Sequence, residues 1–314
     1  MILRFARLLL PPLALLAGGC AGNVLHGEAE LPPSVEWQET PFFPQEEYQC
    51  GPAALATLLS SSGQAVRPEE LVAKVYVPGK RGSFQAELLA ATRSYQRVPY
   101  VISPDMSALL AELAHGRTVL VYQNLGARRL PVWHYAVVIG YSLENDRIVL
   151  RSGTSKRLEQ SARRFLKTWK RGEFWGMVAL VPGELPATED KSRYLKAVAA
   201  TESSGHFDLA IPAYQAALDR WPDSSTVLFG LGNSFFESGD LIQAEQSFRK
   251  ILESDPDHTA TRNNLAQMLA DQDRCQEARQ IIGEALSLSD IEPWLSEALA
   301  ATGEQISRCD EQSK

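Results

Sequence analysis

Two runs in this chain have residue types and spacing suited to nucleophilic chemistry. The first is Gln45-Glu46-Glu47-Tyr48-Gln49-Cys50-Gly51-Pro52-Ala53-Ala54-Leu55-Ala56. Pro52 near the start, Leu55, Leu58 and Leu59 as a stripe, and Gly63 as a stop predict one short helix. Cys50 would then sit at the helix N-terminus, where free N–H groups and the helix dipole favour a thiolate, the reactive form of cysteine. A thiolate needs a partner that can take up a proton. Of the five histidines, His26 precedes the domains, His206 and His258 lie in the C-terminal half, and His115 sits in a turn with Gly116. Only His134 opens a strand, His134-Tyr135-Ala136-Val137-Val138-Ile139-Gly140-Tyr141. At the mouth of a buried strand it can face a helix start and act as general base and acid.

Gln-x4-Cys-Gly-Pro-Ala-Ala-Leu followed by His-Tyr-Ala-Val-Val-Ile-Gly-Tyr resembles the bacteriocin-processing, double-glycine leader peptidase family, a branch of the papain-like fold. The resemblance covers residues of about 40–182 and implies an α+β papain-like cysteine peptidase domain. It implies Cys50 as nucleophile, His134 as general base and Gln45 as oxyanion-hole amide. The family places that glutamine six residues before the cysteine; here Gln45 precedes Cys50 by five. The family also carries an aspartate 16–18 residues after the histidine, where this chain has Arg151 or Ser152. Ser152 can orient His134 as a neutral acceptor, and so can Asn124 or Gln123. Asp146 lies in the preceding turn, too early to serve. Without a carboxylate the imidazolium is less stabilised and a slower reaction is expected. Best-known family members stand in front of a transporter with an ATPase, and this chain has no phosphate loop.

The elements around these residues divide the chain. Arg4 and Arg7 precede an apolar run, Leu8 to Leu16, too short to span a bilayer. Leu16-Ala17-Gly18-Gly19-Cys20 resembles the bacterial lipobox, which implies a signal peptide over 1–19 and lipidation of Cys20. Ala21 after it points by the same resemblance to the outer membrane, facing the periplasm. A polar, Gly- and Pro-containing stretch over 20–33 reads as a tether. Pro182, Gly183, Pro186 and Glu189-Asp190-Lys191 mark a linker. The peptidase-like domain is therefore expected over 34–184 and a second domain over 190–314. A net charge of −7 argues against nucleic acid as a partner. No metal-ligand spacing and no cofactor fingerprint is present, so neither metal nor cofactor is expected.

The second domain is periodic. Ala210, Ala244 and Ala278 recur every 34 residues, as do Tyr214, Phe248 and Ile282, and Gly205, Gly239 and Asp273. That period signals tetratricopeptide repeats, an all-α solenoid. Small alanines let helices cross closely, the large residue four positions later fills the groove, and glycine or aspartate makes the turn. Residues 291–309 read as a capping helix with Trp294, Leu295, Ala298 and Leu299 as its apolar stripe. In the familiar fold the concave face would include Asn233, Asn263 and Gln267, suited to a peptide backbone. The capping helix should end where the second helix of the third repeat begins. Cys275 and Cys309 are then close, and an oxidising periplasm would join them as a disulfide.

The expectation is a lipid-anchored thiol peptidase acting on a protein or peptide substrate, its repeats recruiting that substrate or a protein partner. A non-catalytic peptide-binding scaffold, or an amidase or acyltransferase using the same thiol, remains open on sequence. The anchor has its own test. Cys20→Ser should move the protein from the membrane pellet to the soluble periplasmic fraction, and retention through salt and carbonate washes would refute the lipid linkage.

Overall fold

In the computed structural model the described residues are 24–25, 30–45, 49–288, 291 and 293–312. Cys20 and the segment 1–19 lie outside them. Seven strands are described: β1 Ser34–Glu36, β2 Val98–Val101, β3 Val119–Asn124, β4 Trp133–Ser142, β5 Arg147–Ser152, β6 Ser155–Ser161 and β7 Gly176–Leu180. They form one antiparallel sheet in the order β2-β7-β3-β4-β5-β6, with β1 also pairing β4. Helices α1 Cys50–Ser61, α2 Pro68–Val75 and α3 Gln85–Ser94 cover one face. Helices α4 Met106–Ala114 and α5 Ala162–Lys170 cover the other.

The long strand β4 shows why both faces are closed. Its residues alternate between faces, as a pleated strand requires. Tyr135, Val137 and Ile139 pack with Leu55, Leu58 and Leu59 of α1. Ala136 and Val138 pack in the core that holds Leu109, Leu113, Phe165 and Trp169. A strand buried on both sides reads as a continuous apolar run, which is the run seen in the sequence.

Seven helices follow: α6 Lys191–Glu202, α7 Phe207–Arg220, α8 Ser225–Ser238, α9 Leu241–Ser254, α10 Thr259–Asp271, α11 Cys275–Leu286 and α12 Pro293–Gln312. The 34-residue period has a direct geometric cause. Gly205, Gly239 and Asp273 all take positive φ, at 77°, 86° and 60°, and each turns the chain between paired helices. The alanines of the period are fully buried, and Tyr214, Phe248 and Ile282 are buried beside them. A Cβ at Gly232 would lie 2.6 Å from the Phe248 ring, and one at Gly230 would lie 2.3 Å from Tyr214. Those glycines let the aromatic rings fill the groove between helices.

The structure departs from the sequence expectations in three places. Trp294 is 66% exposed; the buried stripe of α12 is Leu295, Leu299, Thr302 and Ile306. Asn263 is not on an open concave face: it is buried, and its Oδ1 accepts from Thr302 Oγ1 at 2.9 Å under the capping helix. Asn233 is likewise committed, accepting from Asn264 Nδ2 at 2.8 Å, whereas Gln267 is half-buried. Within the stretch read as a free tether, Leu25 is buried in the core, and the N–H groups of Val24 and Leu25 both donate to Asp146 Oδ1.

The two parts of the chain share a core. Tyr194 of α6 packs against Tyr100 of β2, ring centroids 6.5 Å apart. Buried Glu112 accepts from Arg117 Nε at 2.6 Å and from the N–H of Ala187 at 2.9 Å, tying the linker to α4. Removing Arg117 would leave that carboxylate buried and unpaired, a costly arrangement.

Cys275 and Cys309 form a disulfide with Cα atoms 5.9 Å apart. It joins the start of α11 to the end of α12 across a separation of 34 residues. Closing such a loop contributes about 2–4 kcal/mol through the unfolded chain. Reduction, or the double change Cys275→Ser/Cys309→Ser, should therefore lower the melting temperature of the repeat part by several degrees. An unchanged melting temperature in calorimetry would contradict this.

Candidate active site

The site is built where α1 begins and β4 enters the sheet. Cys50 is the first residue of α1, with Gln49 as an N-cap whose side chain makes no capping bond. Gly51 is required there by close approach, since a Cβ on it would lie 2.2 Å from Ser83 Oγ. The loop carrying Ser83 and Phe84 thereby closes over the start of α1. Cys50, Gln45 and His134 line one cleft of about 740 Å³. Gln45 is held by two bonds: its N–H donates to Gly153 O at 3.1 Å and its Nε2 to Tyr135 O at 3.3 Å. The same cleft wall is aromatic. Tyr122 stacks on Trp133 at 5.0 Å and 11°, and Tyr135 leans on Tyr122 at 4.8 Å.

His134 has one ring nitrogen engaged. Its Nε2 lies 2.8 Å from Ser152 Oγ. The other nitrogen, Nδ1, is not engaged by that contact. Of the three residues that sequence left open as orienters, Ser152, Asn124 and Gln123, only Ser152 is in that position. Arg151 lies buried on the other side of β5, where it donates to the carbonyls of Thr40, Gln38 and Lys156. Gln123 donates to Thr168 Oγ1 at 2.7 Å, and Asn124 Oδ1 accepts from Gly126 and Val132. A register shift between Leu150 and Ser152 accompanies this arrangement at the end of β5.

The electrostatics differ from the helix-start expectation of a ready thiolate. Burial pushes the Cys50 thiol above its ordinary value, outweighing backbone hydrogen bonding at Tyr135, Gly51 and Cys50 itself. Burial also pulls His134 down to about 4, because the imidazolium is the charged form. Both shifts favour a neutral thiol beside a neutral imidazole at rest. Proton transfer must then accompany attack, with His134 as general base. Among the described residues Cys50 is the free cysteine, since Cys275 and Cys309 are bridged.

Residues 37–175 match the peptidase C39-like family, and residues 195–259 and 235–288 match tetratricopeptide repeats. The chain is a C39-like peptidase domain joined to tetratricopeptide repeats. Three solved structures are similar to a little under half of this chain. A putative C39-like peptidase from Bacillus anthracis shares 16% identity over 46% of this chain and 96% of its own, with a TM-score of 0.39. A double glycine motif protease from an AMS/PCAT transporter, solved with its leader peptide, shares 18% identity over 45% and 91%, with a TM-score of 0.34. The peptidase domain of Streptococcus ComA, a bi-functional ABC transporter, shares 22% identity over 45% and 99%, with a TM-score of 0.38. No curated protein matches the chain.

Sequence reasoning did not single out Ser83, Phe84 or Tyr122, which come to the cleft from a loop and a neighbouring strand. The one signal available was Gly51, a glycine inside an otherwise regular helix start. The resting state has a measurable signature. The rate of Cys50 carboxymethylation should keep rising beyond pH 9, and the His134 ring protons should titrate near pH 4 by NMR. A rate that levels off below pH 7 would indicate a preformed thiolate–imidazolium pair instead.

Proposed function

We propose that this protein is a cysteine peptidase that cleaves a periplasmic or exported protein substrate. The observation that carries the reading is a free cysteine at a helix start in the same cleft as a histidine whose far nitrogen is oriented by Ser152. His134 Nδ1 takes the Cys50 proton as the sulfur attacks the peptide carbonyl. The developing oxyanion is met by the Cys50 backbone N–H and the Gln45 amide. His134 then returns the proton to the leaving amine, and water releases the acyl group by the reverse sequence.

The rim of the cleft supports a peptide with an apolar segment. Phe84 is 48% exposed, Val132 56% and Trp133 49%. Apolar groups left in water around a polar centre mark a binding surface. The repeats recruit the substrate or a protein partner, and a lipid on Cys20 holds the protein at the outer membrane, facing the periplasm.

A second reading, peptide binding without turnover, is favoured by the raised thiol and by a hydroxyl where a carboxylate would stabilise the imidazolium. Turnover separates the two. With a peptide library scored by mass spectrometry, Cys50→Ala and His134→Ala should each remove cleavage while the melting temperature is kept. Ser152→Ala should lower kcat by less than the roughly hundred- to ten-thousandfold that the general base itself contributes. Binding of library peptides without any cleavage by the unaltered protein would favour the scaffold.

A further inference from the structure

Ser152 stands between two cavities. On one side it meets His134, which lines the Cys50 cleft; on the other it lines a separate cavity of about 310 Å³ with Gln123, Arg164, Lys167, Thr168 and Arg171. Arg164 and Lys167 lie on α5, and Arg171 caps its C-terminal end. None of these three cations makes an ion pair among the described residues, and Glu159 of the adjacent strand is taken up by Arg147 and Arg157. The Nε of Arg171 is buried and has no hydrogen-bond partner among the described residues. A buried guanidinium N–H without an acceptor is unfavourable, and a planar oxyanion is the group that answers it.

We propose that this cavity binds a small carboxylate that activates the thiol through Ser152. The hydroxyl can serve both sides at once. Its oxygen accepts from His134 Nε2–H, and its own hydrogen donates to the carboxylate. The anion thereby supplies, from outside the chain, the negative charge that stabilises the imidazolium when His134 takes the Cys50 proton. Arg171, with Arg164 and Lys167, holds it. A cavity of about 310 Å³ takes acetate with room to spare and also admits larger carboxylates, so acetate serves as the smallest probe of the site. No covalent step is involved, since the carboxylate only accepts hydrogen bonds.

The inference rests on the reading of Cys50 and His134 as a thiol–imidazole pair, and not on peptide hydrolysis. Its test uses the full-length protein, with iodoacetamide labelling of Cys50 followed by mass spectrometry at pH 7. Sodium acetate replaces sodium chloride at constant ionic strength. We expect a saturable rise in the labelling rate of about three- to tenfold, as a stabilisation of the ion pair by half to one pH unit gives. Arg171→Gln should abolish the saturation. Ser152→Ala should still bind acetate, read by calorimetry, but lose the rate effect. Two outcomes overturn the proposal: no saturable acetate effect, or the same effect in Arg171→Gln as in the unaltered protein. Slow labelling at every acetate concentration, with His134→Ala indistinguishable from the unaltered protein, would instead sink the thiol–imidazole reading itself. A parallel series with inorganic phosphate separates carboxylate recognition from attraction of any anion. Equal potency of the two would overturn the carboxylate assignment.

Discussion

His134 Nε2 and Ser152 Oγ lie 2.8 Å apart at the ends of neighbouring strands, and that contact fixes the imidazole at the edge of the cleft. The rest of the site follows from it. With Nε2 held, Nδ1 is left to serve Cys50. The contact exists because β4 pairs with β5 on one side and β3 on the other, Gln123 standing opposite His134. Gln123 is in turn fixed by Thr168 of α5. The orientation of one imidazole thus rests on three strands and a helix, all with buried cores.

The same contact sets the limits of the chemistry. A hydroxyl is neutral, so it orients the ring without stabilising its positive form as a carboxylate does. Burial acts in the same direction on both partners, raising the thiol and lowering the imidazole. The free site is therefore poised as an uncharged pair. Charge develops only as the thiol attacks, and a negative group behind Ser152 would stabilise it. The cations lining the cavity there give that requirement a physical counterpart.

Much of this was legible in the sequence where the signal is local or periodic. Pro52, the leucine stripe and Gly63 define α1, and Gly63 does take positive φ at 90°. The 34-residue recurrence of alanine, a large apolar residue and a turn residue gave the helix pairs, because each unit repeats the same packing problem. What was not legible depends on contacts between distant parts. Arg151 and Ser152 are adjacent, and only the register of β5 says which one meets His134. Trp294 fitted a helical stripe by spacing, but α12 turns a different face to α10. Asn263 reads as surface until α12 is laid over it. Leu25 sat in a polar stretch, and nothing near it foretold the bonds to Asp146, over 120 residues away. The cleft aromatics arrive from β3, β4 and a loop, so no single window of sequence contained them.

If Cys50 is a nucleophile served by His134, an acyl-enzyme can be trapped on it. The full-length protein is mixed with an activated acyl ester such as a p-nitrophenyl ester, quenched in acid within seconds, and measured by intact mass and peptide mapping. A single acyl adduct is expected, carried on Cys50, that forms far more slowly in His134→Ala and not at all in Cys50→Ala. An adduct elsewhere in the chain, or one on Cys50 forming equally fast without His134, would contradict it.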